Sequence, residues 1–241
     1  MTTGIKGIVF DKDGTLIHFE QTWTPAYVES AEALADRIGR PDMATAWLEA
    51  TGRDPATGRI RPGTVLASST ADVIAAHWRD LSPELPALDV LIPWLDAFWE
   101  RRSLELLAPV GDLHGLFDRL RGGGLRLGVA TNDAEKAAHA TVDRLGLAGR
   151  VDFVAGYDSG HGAKPEPGMI LAFCAATGLA PATVAMIGDS PADLTAGRAA
   201  GCGRVVGVLT GTSPKELLAP LADAVLDDVH ALPDLLETVP A

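Results

Sequence analysis

The chain has 241 residues, 47% of them hydrophobic, and 32 acidic against 20 basic side chains give a net charge of −12. That charge argues against nucleic acid or an anionic membrane surface as a partner, and no apolar run reaches the roughly 20 residues that span a bilayer. Two cysteines without metal-type spacing, Cys174 and Cys202, and an N-terminus without a signal-peptide pattern fit a reduced, cytoplasmic protein.

The first predicted element is a short buried strand over residues 8–10. Asp11 and Asp13 follow at a spacing of two, then Gly14 and Thr15. Residues 17–23 read as a connector. Helical patterns then cover 25–39 and 43–50. Residues 52–70 break them with Asp54-Pro55 and Pro62-Gly63, which predict a hairpin-like excursion or an irregular loop. Helices resume over 70–80 and 88–107. Residues 18–105 thus form a mostly helical unit with 14 acidic and 8 basic residues, every base an arginine.

The second half alternates. Helices are predicted over 112–121, 134–145, 167–177 and 191–200. Strands are predicted over 125–130, 151–155, 183–187, 205–208 and 224–226. Such alternation implies an α/β fold with a parallel sheet covered on both faces, whose ligands bind beyond the carboxyl ends of the strands.

The polar residues expected at those ends form a constellation. Asp11 and Asp13 end the first strand. Thr131-Asn132-Asp133 follows the second and suits either a helix cap or an anion site. Lys164, one of only five lysines, lies between the third strand and its helix, beside Pro165. Gly188-Asp189-Ser190-Pro191-Ala192-Asp193 follows the fourth. Ser190 and Asp193 suit a capping box, and Asp189 is a further strand-end acid. Three converging carboxylates need a cation, and hard oxygen donors without His or Cys suit Mg²⁺.

In order along the chain, Asp11-x-Asp13-Gly-Thr, Thr131, Lys164 and Gly188-Asp189-x-x-x-Asp193 resemble the four motifs of the haloacid dehalogenase (HAD) superfamily. Lys164-Pro165-Glu166-Pro167 is similar to its phosphoglycolate phosphatase-type branch. The resemblance implies a Rossmann-like, doubly wound core from residues 1–17 and 106–241, with 18–105 as an inserted helical cap of the C1 type. It implies a Mg²⁺-dependent phosphatase acting on a small phosphorylated metabolite, phosphoglycolate-like by analogy, as a monomer or homodimer. Asp11 would be the nucleophile and Asp13 the general acid and base. Thr131, Asn132 and Lys164 would hold the phosphoryl group. Asp11, the Asp13 carbonyl and Asp189 would bind the metal, with Asp193 supporting them. A sugar phosphomutase and a non-catalytic phosphate-ligand binding protein are the alternatives.

Two relatives within the superfamily are disfavoured. Its dehalogenases lack an acid at the place of Asp13, and its phosphonatases use a cap lysine that residues 18–105 do not contain. Substrate choice falls to the cap. Arg53, Arg59, Arg61, His18 and Trp23 are candidates to meet a substrate carboxylate or second phosphate. Trp94, Phe98 and Trp99 are expected to be cap core or a dimer contact. Lys12, on strict alternation, points away from both carboxylates.

Overall fold

The computed structural model describes residues 4–237. Strand β1 (Gly7–Phe10) is buried along its whole length, as a strand covered on both faces must be. The chain then leaves the sheet for five helices: α1 (Phe19–Arg37), α2 (Asp42–Thr51), α3 (Val65–Ser68), α4 (Ala71–Leu81) and α5 (Leu88–Glu105). It returns as α6 (Leu113–Gly122), β2 (Arg126–Ala130), α7 (Glu135–Arg144), β3 (Phe153–Ala155), α8 (Gly168–Thr177) and β4 (Val184–Gly188). The remaining elements are α9 (Pro191–Ala200), β5 (Arg204–Val208), α10 (Lys215–Leu218), β6 (Ala224–Leu226) and α11 (Leu232–Glu237).

All six strands are parallel, in the order β3-β2-β1-β4-β5-β6. The order reverses between β1 and β4, and at such a switch point a crevice opens outside the strand ends. Register fills that crevice with chemistry. Phe10 pairs with Val129 on one side and Ile187 on the other, so the residues just beyond these strands reach a common edge. One face of the sheet packs with Phe117, Leu116 and Leu120 of α6, and the other with Ile170, Phe173 and Ala196 of α8 and α9.

Helices α1–α5 enclose an apolar core of their own. Trp47 and Trp78 stack there with ring centres 5.7 Å apart, both fully buried. Their indole N–H groups donate to Ser82 Oγ at 3.1 Å and Thr51 Oγ1 at 3.2 Å, so the aromatic bulk is buried without an orphaned donor. Trp99 belongs to this core, while Trp94 and Phe98 pack in a tilted pair at its partly buried margin. The helical unit is joined to the sheet by two crossings that lie side by side. His18 N–H donates to the Ala108 carbonyl at 2.8 Å, and Val110 N–H to Leu16 at 2.9 Å.

Two expectations shift, and a third holds. Helix α1 starts at Phe19, so the expected connector is mostly helix and Pro25 lies inside it. A proline there removes one backbone bond, but burial of Phe19, Thr22 and Trp23 on the preceding turns outweighs the loss. Residues 53–60 do form a small antiparallel loop, with Asp54 N–H donating to Arg59 at 2.8 Å. The single turn α3 after it has no clear pattern in sequence. Truncating Trp78 to Ala is expected to destabilise the helical unit by about 3–5 kcal/mol. A lowered urea midpoint, followed by tryptophan fluorescence, would measure it.

Candidate active site

Lys164 is the centre of the strand-end cluster. Its ammonium group sits 2.5 Å from Asp11 Oδ1, 2.6 Å from Asp193 Oδ1 and 2.9 Å from the Ala130 carbonyl, to which it donates. All three N–H donors are used, which permits an almost fully buried lysine. Burial opposes its charge, but Asp11 and Asp193 more than offset this and hold the ammonium above its ordinary range. Asn132 fixes the lysine's backbone from both sides. Its Oδ1 accepts from Lys164 N–H at 2.8 Å, and its Nδ2 donates to the Lys164 carbonyl at 2.9 Å. The same Nδ2 donates to Ser68 of α3, also at 2.9 Å.

Asp193 closes the other end. Its Oδ2 accepts from Ser190 N–H at 3.0 Å and Ser190 Oγ at 2.7 Å, completing the capping box that starts α9. Pro191 holds the first helical position, as its fixed φ favours. Asp189 rests against backbone. A methyl group on Gly14, whose φ is +88°, would lie 2.7 Å from Asp189 Oδ2, so only glycine admits the approach. Asp189 Oδ2 accepts from Thr212 N–H at 3.1 Å, and Thr210 Oγ1 donates to the Gly14 carbonyl at 2.6 Å. This Thr210–Thr212 loop was not among the expected site residues, although a Thr-Gly-Thr directly beyond strand β5 is the kind of signal that marks one.

The two motif aspartates face different ways. The chain bends at Lys12, immediately beyond β1, so the strand alternation does not continue. Asp11 turns to Lys164. Asp13 turns to the helical unit, where its Oδ1 accepts from Trp23 Nε1 at 2.5 Å and from Lys12 Nζ at 2.8 Å. Thr131 Oγ1 lies 3.4 Å from its Oδ2. Lys12 therefore does not point away from the carboxylates, which corrects the expectation. It is fully buried, bridges Asp13 and Asp133 (3.0 Å), and lies over the Trp23 ring at 5.3 Å. Burial opposes this charge too, and the two carboxylates keep the ammonium raised.

One cavity joins these groups to the helical unit. Asp11, Asp13, Thr131, Asn132, Lys164, Asp189 and Asp193 line it, and Trp23 with them. The other specificity candidates do not. Arg53 donates to the Gly58 carbonyl and Arg61 to Gly52 and Glu49. Arg59 lies 3.6 Å from Glu20, and His18 is absent from the lining. Arg53 and Arg61 brace the loop and the end of α2 through backbone carbonyls, and Arg59 pairs with α1. Instead Tyr157, Asp96 and Ser68 reach the cavity.

A haloacid dehalogenase-like hydrolase model matches residues 5–201. The chain belongs to this family. An N-acetylmuramic acid 6-phosphate phosphatase of Pseudomonas aeruginosa is 30% identical over 236 residues, covering 97% of this chain and 95% of that protein. A phosphoglycolate phosphatase of Rhodospirillum rubrum is 29% identical over 231 residues, covering 96% and 90%. A solved hydrolase of Pseudomonas syringae superposes with a TM-score of 0.69 at 20% identity, covering 98% and 100%. The chain is thus a HAD-like phosphoric monoester hydrolase of the phosphoglycolate phosphatase-like branch.

This HAD-like hydrolase holds a set of donors that suits a hard divalent cation. Carboxylate oxygens of Asp11, Asp189 and Asp193 lie within 4.8 Å of one another. Asp11 Oδ2 is buried with no hydrogen-bond partner among the described residues. Burial pushes the Asp11 carboxyl up to about 7, Lys164 opposing and Asp193 and Asp13 adding to the rise. Asp189 is raised well above its ordinary value by burial, then by Asp193 and Asp11. Clustered carboxylates so deprived of water are stabilised by a cation with oxygen preference.

Lys12→Met should leave Asp13 and Asp133 buried without their shared counter-charge, a loss of about 3–5 kcal/mol. Adding Asp133→Asn should recover part of it. A double-mutant cycle by chemical denaturation would read this coupling, and simple additivity would contradict it.

Proposed function

We propose that this protein is a Mg²⁺-dependent phosphatase that hydrolyses a small phosphorylated metabolite through an aspartyl-phosphate. The observation that carries this is Asp11: one carboxylate oxygen is held by Lys164 at 2.5 Å, and the other is buried with no hydrogen-bond partner among the described residues. Asp11, the Asp13 backbone carbonyl and Asp189 would hold the cation, which when bound supplies positive charge to the phosphoryl oxygens.

The remaining steps belong to the chain's own residues. Asp11 attacks phosphorus, forming its P–O bond as the ester P–O bond breaks. Asp13 gives the leaving oxygen a proton. Oδ1 of Asp13 already accepts from Trp23 and Lys12, so Oδ2, beside Thr131, is the oxygen with room for that proton. Asp13 then takes a proton from the water that attacks phosphorus, and the Asp11–phosphorus bond breaks to release inorganic phosphate. The Thr131 hydroxyl and the backbone N–H of Asn132 would hold phosphoryl oxygens, and the charge of Lys164, kept in place by Asp193, would offset theirs. The helices above exclude bulk water.

Phosphate release from a panel of phosphorylated metabolites, with Mg²⁺ or with EDTA, tests the reading. Turnover is expected with Mg²⁺ and none with EDTA. Asp11→Asn should reduce kcat by three orders of magnitude or more. Activity surviving that substitution would sink the mechanism.

A further inference from the structure

The cavity's charges are unevenly matched. Six carboxylates line it and one lysine, Lys164; no arginine or histidine is among its lining residues. Four of the six share a cation: Lys164 serves Asp11 and Asp193, and Lys12 serves Asp13 and Asp133. Asp189 falls to the metal group with Asp11. Asp96, on α5, is different. Its partner is the Tyr157 hydroxyl, which donates to Oδ2 at 3.0 Å, and it forms no ion pair among the described residues. Burial pushes its carboxyl up to about 6 against that hydrogen bond, and Asp133, Asp158 and Asp72 add to the rise. The same cavity has an aromatic wall, with Tyr27, Trp23 and Trp99 among its lining residues. Tyr27 packs edge-on to Trp99 and tilted on Trp23, each with ring centres 5.3 Å apart.

The phosphoryl group belongs at the strand ends, with Lys164 and the cation. The alcohol half of the substrate therefore meets the helical wall. An anionic alcohol would lie against Asp96 with no counter-charge, and such like-charge contacts are how sites reject wrong partners. A cationic nitrogen would pair with Asp96 inside a cavity whose aromatic rings favour positive charge. We propose that the substrate is a phosphomonoester whose alcohol carries a positively charged amino group seated at Asp96, and that carboxylate-bearing phosphates are disfavoured. This rests on the phosphatase reading and adds the charge of the substrate. It departs from phosphoglycolate, whose carboxylate would face the wrong sign of field.

Three small phosphate esters differing in charge test it: O-phosphoethanolamine, ethyl phosphate and 2-phosphoglycolate. With Mg²⁺, kcat/KM is expected to fall in that order, by about tenfold or more from first to last. Asp96→Asn, nearly isosteric, is expected to shrink the ratio between the two charged compounds about fivefold or more. A preference for phosphoglycolate, or a ratio unmoved by Asp96→Asn, would overturn the proposal. Failure to hydrolyse any of the three would count against the phosphatase reading instead. The proposal would then be decided by calorimetry on Asp11→Asn with Mg²⁺: the same order of affinities supports it, and a reversed or flat order overturns it.

Discussion

Everything at the strand ends depends on one buried ammonium group. Lys164 could not lie there uncharged without leaving Asp11 and Asp193 to repel each other, nor charged without both of them. Each partner is fixed in turn by another element: Asp11 by β1, Asp193 by the start of α9, and the lysine's backbone by Asn132 after β2. Three parallel strands thus supply one charge cluster, and the sheet's register sets its spacing. A small slip of any strand would strand a charge away from water, so fold stability and site geometry are the same constraint.

The chain uses this arrangement twice. Lys12 stands between Asp13 and Asp133 as Lys164 stands between Asp11 and Asp193. The two lysines separate the motif aspartates electrically as well as in direction. Asp11 keeps an unoccupied oxygen, whereas Asp13 is oriented by Trp23 and Lys12.

Local chemistry was readable wherever the backbone alone decides it. Asp11, Thr131 and Asp189 follow apolar strands, and parallel register brings strand ends together whatever the side chains. Ser190-Pro191-x-Asp193 spells a capping box within four residues. Long-range pairings were not readable. Lys12 was misread because the period-two rule applies only while the strand lasts, and β1 stops at Phe10. Arg53, Arg59 and Arg61 lie in the expected irregular segment, but whether they face the cavity depends on a loop whose carbonyls claim two of them. Asp96 and Tyr157 are 61 residues apart and meet only because α5 settles over the loop after β3. No spacing rule links them.

The paired crossings at His18–Ala108 and Leu16–Val110 have a consequence beyond geometry. The helical unit leaves and rejoins the sheet through a single gap, so its two ends are neighbours and the sheet closes beneath it. An insert attached in this way is replaceable. A different set of helices could be spliced at the same ribbon without altering strand register, provided it replaced the contacts that Trp23 and Ser68 make to Asp13 and Asn132.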